Sequence, residues 1–240
     1  IGFADDIKSI SPLFRLFLQF LTGIIIWFNG FRIETLNLSW FVEDQFIIFL
    51  PQFLSLAITV IWISGVINSI NWIDGLDGLL GGFTVITCFN LIIIAIIMGN
   101  TFAIFSLISL IGASIGFLNY NVYPAKILMG DCGSYLIGFN LAILSCIVTS
   151  DINNNINIFF AASLLFIPLG DMLFVIFKRL FKGREPYLPD RNHIHHRILR
   201  LGINHRNTVI FIVLLAQILN FLILSIIIEK INFNIKNKNI

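Results

Sequence analysis

Charge is scarce in this chain. Asp, Glu, Lys and Arg make up 12% of its 240 residues, where a soluble domain carries about 25%. That deficit excludes an ordinary water-soluble fold. Cysteine is sparse too. Cys88, Cys132 and Cys146 form no CxxC pair, and three cysteines without metal spacing give neither a disulfide framework nor a zinc site. No signal peptide opens the chain. It begins Ile-Gly-Phe without Met, so the natural N-terminus is expected to lie upstream. No internal repeat is visible, which weighs against an inverted-repeat transporter. The net charge of +2 says little by itself, and no nucleic-acid partner is expected.

What fills the chain is apolar sequence. Hydrophobic residues reach 58% and the mean hydropathy is +0.94, as in a polytopic membrane protein. Hydropathy gives seven candidate spans, at about 13–28, 46–67, 79–98, 101–119, 134–149, 157–178 and 207–228. The expected fold class is therefore an all-α transmembrane bundle, one integral membrane domain over 1–240. Pro51 and Pro168 fall inside spans and are candidate kinks. Seven spans put 1–12, 68–78, 120–133 and 179–206 on one side of the bilayer. That side carries eleven Lys and Arg against four on the other, which makes it cytoplasmic by the positive-inside rule. The 179–206 segment is a His- and Arg-rich cytoplasmic loop.

The polar groups crowd that same side. The stretch 68–80 puts Asn68, Asn71, Asp74 and Asp77 into ten residues between two apolar runs. A carboxylate at the bilayer centre costs about 2.5–3.5 kcal/mol even on the lenient scale. These groups belong at a membrane edge or in a watered cleft, and an ordinary polar turn is the plainer alternative. Asp5 and Asp6 precede the first span, suited either to a divalent cation or proton or simply to a solvated helix start. In the run Tyr120–Ser134, Gly130 and Gly133 bracket Asp131, and Ser134 is expected to open a helix. The N–H groups there suit phosphate and Asp131 suits Mg²⁺; a helix cap is the alternative. Asp190–Arg197 holds His193, His195, His196, Arg191 and Arg197. In a helix, His193 would share a face with His196 and Arg197, whereas a basic loop facing anionic lipid would need no histidines. Asp171 lies inside the sixth span, either functional or the partner of an Arg or an amide. Carboxylates for Mg²⁺ beside cations for phosphate spell phosphoryl chemistry, and the apolar bulk suggests a lipid substrate.

Four motifs carry a family resemblance: Gly2-Phe-Ala-Asp-Asp6; NxxNxxDGxDGL over Asn68–Leu79; Pro124-Ala-Lys with Met129-Gly-Asp-x-Gly-Ser134; and Pro189-Asp-Arg-x-His-Ile-His-His-Arg197. In this order they resemble the polyprenyl-phosphate N-acetylaminosugar-1-phosphate transferases. Members have ten or eleven spans, so the resemblance implies that the first three are missing here. It implies transfer of a sugar-1-phosphate from a UDP-N-acetylaminosugar to undecaprenyl phosphate, with release of UMP and a need for Mg²⁺, or Mn²⁺ in its place. It implies a bacterial inner (cytoplasmic) membrane location, and a homodimer is in keeping with it. Residue by residue, Asp131 matches the Mg²⁺ ligand. Asp5 and Asp6 match the acidic pair near the lipid phosphate, one a proposed base and both further metal candidates. Asn71, Asp74, Asp77 and Asn121 match the nucleotide site, with Asn68, Lys126, Arg191 and Arg197 as further substrate contacts. His193, His195 and His196 match the catalytic His cluster. The order His-Ile-His-His-Arg resembles the branch that starts O-antigen, common-antigen or teichoic-acid linkage units with UDP-GlcNAc or a related sugar. The muramoyl-pentapeptide branch of peptidoglycan synthesis is the alternative, and a transporter the alternative from another class. The family often has Phe where Leu128 stands, which leaves Tyr120 and Tyr123 as candidates to stack on uracil.

Overall fold

The computed structural model describes residues 1–37, 47–150, 155–183, 185 and 192–238, with side chains up to Glu229. Its chain order is α1 (Gly2–Ile7), α2 (Pro12–Phe28), β1 (Thr35–Asn37), β2 (Ile47–Phe49), α3 (Gln52–Ile73), α4 (Leu79–Ile97), α5 (Thr101–Asn121), α6 (Gly130–Val148), α7 (Ile158–Leu164), α8 (Phe166–Leu180), α9 (Ile194–Leu199) and α10 (His205–Lys238). The protein is an all-α membrane bundle. Its only paired strands among the described residues are β1 and β2, a short antiparallel pair with Leu36 opposite Ile48.

The expected seven spans resolve unevenly. Among the described residues five helices are long and apolar enough to cross a bilayer: α3, α4, α5, α6 and α10. The sixth expected span is α7 and α8, which meet at 89° around Leu165. Pro168 has no N–H to offer the carbonyl of Leu164, one turn earlier, and its ring crowds that carbonyl. The first, α2, is an apolar helix of 17 residues, the short end of what spans a membrane. Span boundaries shift as well. Residues 47–49 are strand, and α3 begins only at Gln52, with Pro51 as its N-cap, so Pro51 bounds the helix and kinks nothing. At its other end α3 runs through Asn68 and Asn71 to Ile73. Two amides expected in a loop are therefore one helical turn apart on one face.

Helix α3 is the hub, packed on α2, α6 and α8, while α4 packs on α5 and α10. Apolar faces alone do not hold helices together in lipid, so close backbone approach and interhelical hydrogen bonds carry the contact. Trp62 of α3 donates its indole N–H to the Ala142 carbonyl of α6 at 2.9 Å, and Trp27 of α2 reaches Ser55 of α3 at 3.0 Å. Asn90 of α4 donates to Gln217 of α10 at 3.0 Å. At Gly138 the α3 and α6 backbones nearly touch: a Cβ there would sit 2.8 Å from Ile67 Cα. Gly138→Ala is accordingly expected to lower the unfolding temperature in detergent, with an overpacking cost of about 1–3 kcal/mol. Gly112→Ala on α5, where a Cβ meets nothing within 4 Å, should leave it unchanged or raise it. Equal behaviour of the two variants would contradict the α3–α6 contact.

Candidate active site

The C-terminal end of α3 and the start of α6 meet at Asp131. Asn71 donates its amide to Asp131 Oδ1 at 2.8 Å and to Ser134 Oγ at 2.9 Å. From α2, Arg15 Nη1 reaches Asp131 Oδ2 at 2.7 Å and Asp5 Oδ2 at 2.6 Å. One helical turn deeper, Gln19 exchanges hydrogen bonds with Asn68, which is thereby tied to α2. Asp6 lies on the other side of Asp131: its two oxygens accept the backbone N–H groups of Asp131 and Cys132 at 2.8 and 3.0 Å. That is a carboxylate on a helix N-terminus, favoured by the exposed N–H groups and the helix dipole. The expectation at Ser134 is corrected here. Gly130, with φ of 65°, turns the chain into α6 four residues earlier. Ser134 is buried in the second turn, bonded to Asn71, and the α6 N–H groups foreseen for phosphate are held by Asp6. Burial pushes the Asp5 carboxyl up, but its hydrogen bonds with Asp131 and the Ile10 N–H, and the Arg15 charge, outweigh it and leave the group below its ordinary value.

Two loops face this cluster, 74–78 after α3 and 122–129 after α5. Asn121 stitches them: its oxygen accepts the Gly78 N–H at 2.9 Å and its amide donates to the Ile127 carbonyl at 2.9 Å. Asp77 adds a second stitch by accepting the Ala125 N–H at 3.0 Å. Gly78 sits at φ of 81°, a left-handed conformation that glycine adopts freely. Between the loops opens a cleft of about 460 Å³ lined by Asn71, Asp74, Asp77, Asn121 and Asp131, with Leu128 also on its wall. Asp74 is pushed up to about 7, by burial first and then by the charges of Asp131 and Asp77. The cleft is thus short of positive charge. Lys126 is exposed and outside the lining. Tyr123 stacks on His205 with ring centres 4.4 Å apart; neither it nor Tyr120 lines the cleft.

The His segment packs against one wall. Asp190 and Arg191 lie outside the described residues. His193 is the N-cap of α9, so the shared helical face expected for His193 and His196 does not form. Instead the rings of His193 and His195 lie parallel at 5.8 Å, and His195 meets His196 at 4.3 Å. Asp171 of α8 bonds His193 Nδ1 at 2.7 Å and accepts the Ile194 N–H at 2.7 Å. Its partners are a backbone amide, as one of the readings of Asp171 had it, and a histidine, which was not foreseen. Trp72 meets His193 edge-on at 5.4 Å and carries the Arg179 guanidinium 5.2 Å from its ring centre. The His195 ring fills the space a Cβ would need at Gly75. His193 and His195 are buried at 7% and 2% exposure; Arg197 is exposed and lies 4.4 Å over Phe174. Arg15, Gln19 and Trp72 were missed as site residues. The signal was an Arg and a Gln four apart in an otherwise apolar helix, which a membrane segment rarely holds without a role.

The donors at the cleft suit a hard cation. They are carboxylate and amide oxygens, and among the described residues no group of three or more His, Cys, Asp or Glu is set to hold a metal alone. Mg²⁺ is commonly held by one or two carboxylates and completed by substrate phosphates and water, so Asp131, with Asp74 and Asp77 nearby, fits it.

Burial, then His196 and His193, lower His195 to about 4, against about 6.5 in the unfolded chain. The fold therefore favours the neutral ring. That stabilisation, on the order of 3 kcal/mol, is complete above pH 6.5 and is lost as pH falls from 6.5 toward 4. The unfolding temperature is expected to drop between pH 7.5 and 5, and to drop less in His195→Gln; equal drops would contradict the buried neutral ring.

Comparison with known proteins gives the family. The family model described as glycosyl transferase family 4 matches residues 1–149. A Bacillus subtilis protein named probable undecaprenyl-phosphate N-acetylglucosaminyl 1-phosphate transferase is 32% identical over 218 residues, 91% of this chain and 60% of its own. A Mycobacterium leprae decaprenyl-phosphate N-acetylglucosaminephosphotransferase is 33% identical over 241 residues, 92% of this chain and 60% of its own. An Escherichia coli undecaprenyl-phosphate alpha-N-acetylglucosaminyl 1-phosphate transferase is 31% identical over 226 residues, with 91% and 60% covered. The chain spans about 60% of the length of the curated relatives it matches. With its first three motifs meeting at Asp131 and the family model covering residues 1–149, the chain belongs to glycosyl transferase family 4.

Proposed function

We propose that the protein transfers an N-acetylaminosugar-1-phosphate, GlcNAc-1-phosphate or a close relative, from its UDP-sugar to undecaprenyl phosphate and releases UMP. The observation that carries this reading is Asp131, clamped between Asn71 and Arg15 at the mouth of an acidic cleft. Three relatives named for GlcNAc-1-phosphate transfer to polyprenyl phosphates support it. The lysine and arginine bias supports a cytoplasmic orientation of the cleft in a bacterial inner membrane.

In this reading Asp131, with Asp74 and Asp77, holds Mg²⁺. When bound, the ion neutralises the diphosphate and makes UMP a better leaving group. Asn71 orients Asp131 by its 2.8 Å hydrogen bond. Arg15 supplies the cation nearest the reacting phosphates. An oxygen of the lipid phosphate attacks the sugar-proximal phosphorus, and the bond from that phosphorus to the bridging oxygen of UMP breaks. The lipid phosphate has its second pKa near 6 and reaches the site as a dianion, so no base is needed. Asp5 and Asp6 then serve by position: Asp5 aims Arg15, and Asp6 fixes the start of α6 and with it Asp131. Most of the acceleration comes from charge neutralisation and in-line placement.

The test is UMP release by the full-length protein in detergent with undecaprenyl phosphate and Mg²⁺, with UDP-GlcNAc, UDP-GalNAc and UDP-MurNAc-pentapeptide offered separately. UMP from an acetamido sugar, falling about 100-fold or more in a folded Asp131→Asn variant, is the expected result. UMP only with the muramoyl substrate would move the protein to the peptidoglycan branch. Near-normal turnover by Asp131→Asn would overturn the metal assignment.

A further inference from the structure

We propose that Asp171 is a positioning residue that fixes the His193 proton on Nδ1 and leaves Nε2 as the ring nitrogen available to the reaction, an inference that rests on the proposed transfer reaction. Asp171 lies on α8, 8% exposed, in the arm of a broken span. A buried carboxylate in that setting is costly unless both oxygens are paired. Here each has one short partner. Oδ2 meets His193 Nδ1 at 2.7 Å, and Oδ1 accepts the Ile194 N–H at 2.7 Å.

The two contacts do different work. The bond to Ile194 caps α9 and is structural. The bond to His193 selects a ring state. A carboxylate can only accept, so Nδ1 must carry hydrogen whether the ring is neutral or charged. Nε2, which has no partner among the described residues, is then the ring nitrogen that gains or loses a proton or meets a phosphate oxygen. The ring plane is held by Trp72 edge-on at 5.4 Å and by the parallel His195 at 5.8 Å. Rotation away from Asp171 is blocked on two sides. His195 in turn packs on Gly75, so the carboxylate on α8 is coupled to the wall of the cleft through two rings.

Asp171→Asn separates the two roles. The Asn oxygen still accepts the Ile194 N–H and keeps the cap. Its NH₂ then faces Nδ1 and donates, which drives the ring proton to Nε2, the same logic by which an Asp-to-Asn change in the serine-protease triad selects the wrong tautomer. Asp171→Ala removes both contacts.

The experiment combines ¹⁵N NMR of histidine-labelled full-length protein at pH 7.5, with His193 assigned by its loss in His193→Gln, and UMP-release kinetics with UDP-GlcNAc and undecaprenyl phosphate. The wild type should carry hydrogen on Nδ1 of His193. Asp171→Asn should shift it to Nε2 with an unchanged unfolding temperature. Its kcat should fall about 100-fold, while KM for the UDP-sugar moves less than about threefold. Asp171→Ala should also lower the unfolding temperature. A wild-type His193 protonated on Nε2 alone would overturn the inference, as would Asp171→Asn turnover equal to wild type while His193→Gln is inactive. UMP present with an unimpaired Asp171→Asn sinks this inference alone; no UMP from the wild type with any UDP-sugar sinks it together with the proposed function.

Discussion

One guanidinium nitrogen, Arg15 Nη1, lies between Asp5 and Asp131 at 2.6 and 2.7 Å. The two carboxylates thus share one cation, which offsets the repulsion they would feel were both charged. The rest of the site follows from this bridge. It fixes α2 against α6, which places Gln19 opposite Asn68. It also fixes α1 across the start of α6, which lets Asp6 take the first free N–H groups of that helix. Four elements, α1, α2, α3 and α6, meet at this one carboxylate.

The surrounding bundle has the opposite character. Its helices touch through small residues and single hydrogen bonds, with Gly138 against Ile67 and Trp62 on the Ala142 carbonyl. In lipid such contacts give close packing without buried charge. Polar chemistry is thereby confined to one end, where α3 stops at Ile73 and Asp74 begins the loop. The His segment is joined to this end by Trp72, Gly75 and Asp171 and stays mostly out of water. Its His195 ring touches the cleft wall at Gly75, and Arg197 is exposed.

Residue types and spacing carried much of this. The apolar runs named the helices, and the 68–80 stretch, the Asp131 run and the His cluster were each legible because a membrane segment does not hold such groups without a reason. Three things were not legible. Helix ends were misplaced at Pro51, Asn68–Ile73 and Gly130, because hydropathy stops where apolar residues stop while α3 continues with polar ones on one face. At Leu165 only the sharpness of the break was hidden: Pro168 was a candidate kink in the sixth span, but not one of 89°. Arg15 entered only as a count of positive charge, since its partners are 10 and 116 residues away and nothing local marks such pairs. Asp171 was visible as an anomaly, but its partner came from a segment 22 residues on.

The most direct measurement is Mn²⁺ affinity, by electron paramagnetic resonance, of the detergent-purified full-length protein and its Arg15→Gln variant without nucleotide. If Arg15 is the counter-ion of the metal carboxylate, its removal leaves Asp5 and Asp131 without a cation, and Mn²⁺ binds Arg15→Gln about tenfold more tightly or better, while Asp131→Asn abolishes the gain. Equal Mn²⁺ affinity in wild type and Arg15→Gln would contradict the account.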